Sequence, residues 1–309
     1  MTSYLAGRLA GLVPVLIFVT AVAFGLTQAA GGDPAREAAQ QSGESAPAEL
    51  VADLRARWGL DDPLPVRYAR WIAGVARGDL GVSFLTQRPV GQEILSAYPA
   101  TLLLALGALT VATLIGIPCG VLTAMARDSW IDHLGRAAAV AVAALPSFWL
   151  GLLLIVWFAE DLRWLPAGGL GLDSHLVLPA IALGALPAAT VTRLVRASVL
   201  EVDGLPFVRT ATAKGLDHWR VIGWHVLPNA LTPAVTYLGL RFGHLLAGAV
   251  VIEQIFAWPG VGRVVLTAVS GRDLPVIAGY VLLTGLIFAA VNLIVDLFSA
   301  ALDPRIRLE

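Results

Sequence analysis

Apolar windows long enough to cross a bilayer follow one another from one end of this 309-residue chain to the other. A hydrocarbon core takes about 20 mostly apolar residues as helix, because unpaired backbone N–H and C=O groups are not tolerated there. That requirement leaves few folds open. The charge-free window Leu9–Gly32 comes first, the second lies between Glu93 and Arg127, and the third lies between Arg136 and Glu160. The fourth is Ser174–Thr192, a fifth falls within 229–256 around Arg241, and a sixth lies between Asp273 and Asp296. The reading is an all-α integral membrane protein with six transmembrane helices. Composition agrees: mean hydropathy is +0.77 and 14% of residues are charged, against about a quarter in soluble domains. The first window exceeds the ~7–15 apolar residues of a signal-peptide core, and more spans follow it, so it reads as an uncleaved first span.

Orientation follows from basic residues in short loops. Arg127 and Arg136 flank one loop, while Arg193, Arg196, Arg209, Lys214 and Arg220 crowd the next, and Arg305 and Arg307 mark the tail. The short connections on the other side hold only Arg163, Arg263 and Arg272. The long 33–97 segment has seven arginines, but loops beyond about 60 residues cross regardless of charge. Both termini are therefore expected in the cytosol, with the chain multi-pass in the membrane. Trp130, Trp164 and Trp258 fall at span ends, where interfacial anchors belong.

Residues 1–32 are thus a cytosolic N-terminus and first span, 33–97 an extracytoplasmic segment, and 98–309 the core with spans two to six and a cytosolic loop at 197–230. In the extracytoplasmic segment, "ELVADLRARWGL" has Leu50, Val51, Leu54 and Trp58 at helical spacing, and "DDPLPVRYARWIAGVARGDLGVSF" reads as turn, amphipathic helix and turn.

The chain lacks the residues of an enzyme. No G-x-x-x-x-G-K-[ST], H-E-x-x-H or G-x-S-x-G occurs, the five histidines form no ligand-spaced pair, and Cys119 stands alone. No cofactor or metal is expected in this chain, and a net charge of −1 gives no reason to expect nucleic acid. If the protein moves a solute uphill, the energy enters through a partner.

One polar stretch breaks the apolar pattern: "RTATAKGLDHWRVIGWHVLPNA", residues 209–230, holding the only lysine, Lys214. Residues 205–215 can form a short helix. Pro206 suits its first turn, where a missing N–H costs nothing. Gly215 suits the left-handed position that ends a helix. Small Ala211 and Ala213 allow close approach to a groove, and Pro228 and Asn229 mark the start of the next span.

This stretch resembles the "EAA" loop of permease subunits of ATP-binding-cassette (ABC) importers, E-A-A-x3-G-x9-I-x-L-P. The spacing fits with Ala211 as second alanine, Gly215 as glycine and Leu227-Pro228 as closing pair. Arg209 replaces the acid, Thr210 the first alanine and His225 the isoleucine, and "VRTATAKGL" is similar to the form "YVRTARAKGL" of the dipeptide/oligopeptide branch. "GGDPA", "LDDPLPVRYARWIAGVARGDLGVSF" (with Arg67 where glutamine is common), "LPSFWLGLLL", "WLPAGG" and "IEQIFAWPGVGR" resemble that branch in order along the chain. So does the closing "VNLIVDLFSAALDPRIR".

The resemblance implies the type I importer architecture, in a bacterial or archaeal plasma membrane. This B-type permease subunit would form half of a translocation pathway with a homologous second permease. Two ATP-binding subunits, carrying ATP and magnesium, and an extracytoplasmic substrate-binding protein docking on 33–97 would complete the complex. The helix near 205–215 would be the coupling helix. Ala211, Gly215, Leu216, Leu227 and Pro228 would give its fit, and Arg209, Lys214 and Asp217 its polar rim. Peptides would be the cargo, with nickel chelates, glutathione or another small solute as alternatives.

Charges inside the spans are the remaining candidates. Arg241 and His244 are i, i+3 on the fifth span, where an arginine costs about 2.5–3.5 kcal/mol at mid-bilayer on insertion scales. They line the pathway or tie the span to a neighbour. Glu253, a straight-helix distance of about 18 Å from Arg241, precedes "FAWPGVG", which resembles the family's extracellular gate. Asn292 and Asp296 read as a polar seam on span six, and Pro118 and Pro146 as kinks. Two other classes stay open: an ion-coupled secondary transporter, and a membrane scaffold or intramembrane enzyme.

Overall fold

The computed structural model describes residues 47–171, 173–246 and 249–302, plus scattered positions between 11 and 39, with backbone alone after 294. The tail with Arg305 and Arg307, most of "GGDPA" and the Asp296 side chain lie outside the described residues. The described positions between 11 and 25, in the first apolar window, are helical.

Beyond them the described residues form a run of helices: α1 Ala48–Trp58, α2 Leu64–Val75, α3 Val90–Met125, α4 Trp130–Ala144, and α5 Ser147–Leu154, which continues as a π-helix, Ile155–Asp161. Next come α6 Ser174–Asp203, α7 Pro206–Ala213, α8 His218–Val221, a second π-helix Ile222–Val226, and α9 Leu227–Ala230. The run closes with α10 Thr232–Leu246, α11 Val250–Ile255, α12 Val261–Ser270 and α13 Leu274–Leu302. Extended pairing among the described residues is limited to an isolated bridge between Val82 and Pro89.

Helices α3, α6 and α13 are each long and apolar enough to cross a membrane. The third window does so only as a bent pair, α4 and α5, which meet at 101°. The break has a local cause. A proline pushes the preceding residue out of the helical region, and Leu145 before Pro146 is extended at φ −81°, ψ 127°. Pro118, by contrast, sits within an unbroken α3. The fourth window runs on to Asp203, so Arg193 and Arg196 ride on α6 itself.

The chain folds into two compact units, residues 1–101 with 259–289 and residues 102–258 with 290–309. In the first, both helices expected in the extracytoplasmic segment form. Gly59 ends α1 in the left-handed conformation at φ +61°, and Pro63 and Pro65 open α2. Asp273, buried at the head of α13, holds the "GVSF" turn against it. Its carboxylate accepts from Ser83 Oγ at 2.5 Å, Phe84 N at 3.1 Å and Leu85 N at 3.2 Å.

In the second unit, glycines set the crossing of α3 and α6. A Cβ on Gly116 would stand 2.7 Å from Val191 Cβ, and one on Gly120 would stand 2.7 Å from Val195 Cβ. Gly184 of α6 lies as tightly against the carbonyl of Ala108, 2.6 Å from a built Cβ. Between apolar helices in lipid there is little hydrophobic drive to associate, so close packing through small residues supplies the attraction. Gly116→Val should therefore force the crossing apart, at a cost of about 1–3 kcal/mol. A lowered melting temperature of the detergent-solubilised protein would show it; an unchanged one would mean that the crossing is slack.

Candidate functional site

The polar stretch is built from α6 onward. After Asp203 the chain turns through Gly204, and Leu205 is extended at φ −76°, ψ 149°. Pro206 then opens α7, where its fixed φ suits the first turn and no N–H is required. Lys214 closes the helix, and Gly215 follows at φ +79°, donating its N–H to Thr212 O at 2.9 Å. Few residues other than glycine take that conformation readily. Asp217 caps α8, its Oδ2 accepting from Trp219 N at 3.1 Å.

Helix α7 has two faces. Val208 and Ala211 are buried in an apolar core shared with Val191, Val195, Val199 and Val202 of α6. Phe207, Arg209, Thr210, Ala213 and Lys214 are exposed. Sequence reasoning missed Phe207, 44% exposed; an aromatic on the turn opposite Val208 was the signal. The expected contacts therefore divide. Ala211, Leu216 and Leu227 pack against the chain's own core rather than outward. Arg209, Lys214, Gly215 and Asp217 stay on the surface, and a Cβ on Gly215 would meet no atom of this chain within 4 Å.

Pro228 does not start the next span. Helical structure begins ten residues earlier, at His218, and Pro228 sits inside it. A proline there removes a hydrogen bond and crowds the carbonyl four residues back. The π-helix Ile222–Val226 lies just ahead of it, and Asn229 Nδ2 donates to His225 O at 2.8 Å. Wide turns of this kind relieve such a crowded carbonyl ladder.

A buried charge cluster anchors the same helix α6. Asp132, fully buried at the start of α4, takes two hydrogen bonds from Arg196: Nε to Oδ1 at 2.7 Å and Nη2 to Oδ2 at 2.6 Å. Asp128 N donates to Asp132 at 3.1 Å, and Arg136 approaches at 3.6 Å. A planar guanidinium matches a carboxylate by two parallel bonds, which fixes orientation as well as distance.

The other candidates do not form one continuous stripe. Arg241 is half-buried on α10, its Nε shielded and without a hydrogen-bond partner among the described residues, while His244 is exposed. Ala249, just ahead of α11, leaves the helical conformation at φ −84°, ψ 54°, so the straight-helix distance to Glu253 does not hold. Glu253 lies inside the fold. It is fully buried beside a turn whose Phe256 and Trp258 are also fully buried, so Trp258 is a core residue; Trp130 and Trp164 are 73% and 70% exposed, as anchors would be. Ala257 takes φ +49° in that turn. The "WLPAGG" loop holds it: Gly169 N donates to Phe256 O at 3.0 Å, and a Cβ on Gly168 would lie 2.3 Å from that oxygen.

Comparison with known proteins settles what carries these features. Residues 116–308 match the family described as the binding-protein-dependent transport system inner membrane component. Residues 1–105 match the N-terminal model of the same kind of membrane component. The chain belongs to this family. It is 42% identical over 307 residues to the glutathione transport system permease protein GsiC of Salmonella paratyphi A, covering 99% of each chain. The GsiC of Escherichia coli K12 is 40% identical with the same coverage. Among solved structures, the inward-facing MetNI methionine ABC transporter aligns at a TM-score of 0.58 and 18% identity, covering 68% of this chain and 96% of that one. An amino acid ABC transporter with histidines aligns at 0.55 and 19%, covering 68% and 94%. The protein is a membrane-embedded permease subunit of an ABC importer, with the all-α fold of such permeases.

If the Asp132–Arg196 pair fixes α6 under α7, either single alanine replacement leaves a charge without its partner, while the double removes both. Each single variant should melt lower than the pair removed together. Equal, additive losses would mean that the two residues do not act as a unit.

Proposed function

We propose that this permease imports small peptides, glutathione foremost, and is driven by ATP-binding subunits seated on the exposed face of α7. The observation that carries the reading is the division of α7. One face is fixed in the chain's own core; the other presents Phe207, Arg209, Thr210 and Lys214 to solvent beside open space at Gly215. A short helix rigidly backed and exposed on one side can transmit a push. Closure of ATPase subunits then moves the spans as a packed body, a hinge or shear transition.

In this reading both termini and the 197–230 loop face the cytosol of a bacterial cell, the chain crosses the membrane six times, and ATP and magnesium belong to the partner subunits. A homologous second permease completes the pathway, and a substrate-binding protein delivers cargo from outside. Full-length similarity to glutathione permeases supports the cargo, since glutathione is itself a tripeptide. Arg241, with its shielded, unpartnered Nε, supplies a donor that a cargo carboxylate can accept from. His244 stands one turn further along α10, and the turn after Glu253, clamped by Gly168 and Gly169, serves as the outer gate.

The test is ATPase activity of the complete complex in nanodiscs, stimulated by binding protein loaded with glutathione or with a dipeptide. Wild type should respond, and Gly215→Asp should not, because the added side chain fills the space that the partner occupies. Stimulation of the variant equal to wild type would contradict coupling at α7. In the same assay Arg241→Gln should weaken the response to cargo; a full response with poorer subunit assembly would make it a structural tie instead.

A further inference from the structure

A pocket of about 460 Å³ opens in the first unit between α1, α2, the glycine turn after α2 and the head of α13. Trp71 lines it with its indole N–H buried and without a hydrogen-bond partner among the described residues. A buried donor of that kind is rare and calls for an acceptor.

Three arginines share the same walls: Arg57, Arg67 and Arg70. Two are held from one side. Arg57 Nε pairs with Asp53 at 2.9 Å, and Arg70 Nη2 with Asp62 at 2.7 Å. A guanidinium carries five N–H donors, so a single such contact leaves several for a second anion. Arg67 lies over the Phe24 ring, 6.0 Å from its centroid. Partial burial pushes its pKa below the ordinary value. Arginine keeps its proton regardless, so this partly desolvated charge adds to the attraction for an arriving anion. The lining carboxylate of Asp79 is already engaged, accepting Gly81 N at 2.8 Å.

The floor is different in kind. Phe24 comes from the first apolar window, and Leu274, Pro275 and Ala278 from the first turns of α13, one of the membrane-crossing helices. Trp58 and Phe84, stacked at 4.0 Å, close one side. A rim of arginines above an apolar floor drawn from the first apolar window and the head of α13 suits an amphiphile. A phosphodiester meets the guanidinium and indole donors, and an acyl chain follows the spans. A zwitterionic peptide would leave one charged end on that floor. An ammonium-bearing headgroup would meet the arginines with like charge.

We propose that this pocket binds the phosphodiester headgroup of an anionic phospholipid in the adjoining leaflet. That this leaflet is the outer one rests on the orientation proposed above; lipid binding itself does not.

The experiment is native mass spectrometry of the complete importer complex, purified through detergent from mixed phosphatidylglycerol and phosphatidylcholine. Wild type should retain one phosphatidylglycerol per copy of this chain in preference to phosphatidylcholine. Arg67→Gln and Trp71→Phe should each retain about tenfold less, the effect of losing one charged or buried hydrogen bond. Glutamine keeps the arginine stem and phenylalanine an aromatic ring, and unchanged assembly and melting would show that the fold is intact. Equal retention by wild type and variants, or equal retention of the two lipids, would overturn the proposal. Displacement of the lipid by an excess of glycerol phosphate would also overturn it, pointing to a free phosphate ester. So would intact lipid retention in variants that lose stimulation by the loaded binding protein, pointing to a protein partner. Lipid retention is read without transport, so its failure is separable from failure of the coupling or cargo reading.

Discussion

Close contact between α3 and α6 is the constraint on which the rest of the second unit depends. In lipid, a buried leucine gains little over one facing acyl chains, so helices associate where their backbones approach. Gly116 and Gly120 admit Val191 and Val195, and Gly184 admits the Ala108 carbonyl. The same α6 face, continued through Val199 and Val202, becomes the bed on which Val208 and Ala211 of α7 rest. The Asp132–Arg196 pair adds direction to that packing, because two parallel hydrogen bonds fix α6 against the start of α4. A polar helix outside the apolar layer is thus tied to the spans beneath it. Motion imposed on α7 reaches α6 directly.

The first unit solves a different problem. Its segment ahead of α3 is short and, among the described residues, has no apolar core large enough to stand by itself. Helical ends are punctuated by Gly59 and the prolines of "DDPLP", and Asp273 ties the turn at Ser83 to the head of α13 with three hydrogen bonds. Arginine–carboxylate pairs and stacked rings fill the remaining surface, and they leave the pocket around Trp71.

Much of this was legible in the residues because the signals were local. Windows without charge marked α3, α6 and α13, while the fifth window is divided among α9, α10 and α11. Pro206 and Gly215 marked the ends of α7, and the spacing of Leu50, Leu54 and Trp58 marked α1. What escaped reading depended on neighbours distant in sequence. Ala211, Leu216 and Leu227 look like contact residues until α6 is placed beneath them. Trp258 looks like an interfacial anchor until the "WLPAGG" loop folds over its turn. The bend at Pro146 was signalled, but its size was not, since a proline breaks a helix without saying where the next piece points. Pro228 marks no helix start in the sense expected: it lies in the first turn of α9, just after the π-helix Ile222–Val226, in a run of helical turns that begins at His218.

The central claim is that the outer face of α7 is held by an ATPase subunit in the cytosol. Its most direct test is site-specific cross-linking in cells, with Lys214→Cys in a Cys119→Ala background and a short bifunctional reagent. The account predicts a covalent adduct with the ATP-binding subunit, and protection of position 214 from impermeant thiol reagents added outside intact cells. Labelling from outside, or an adduct only with the second permease or the binding protein, would contradict it.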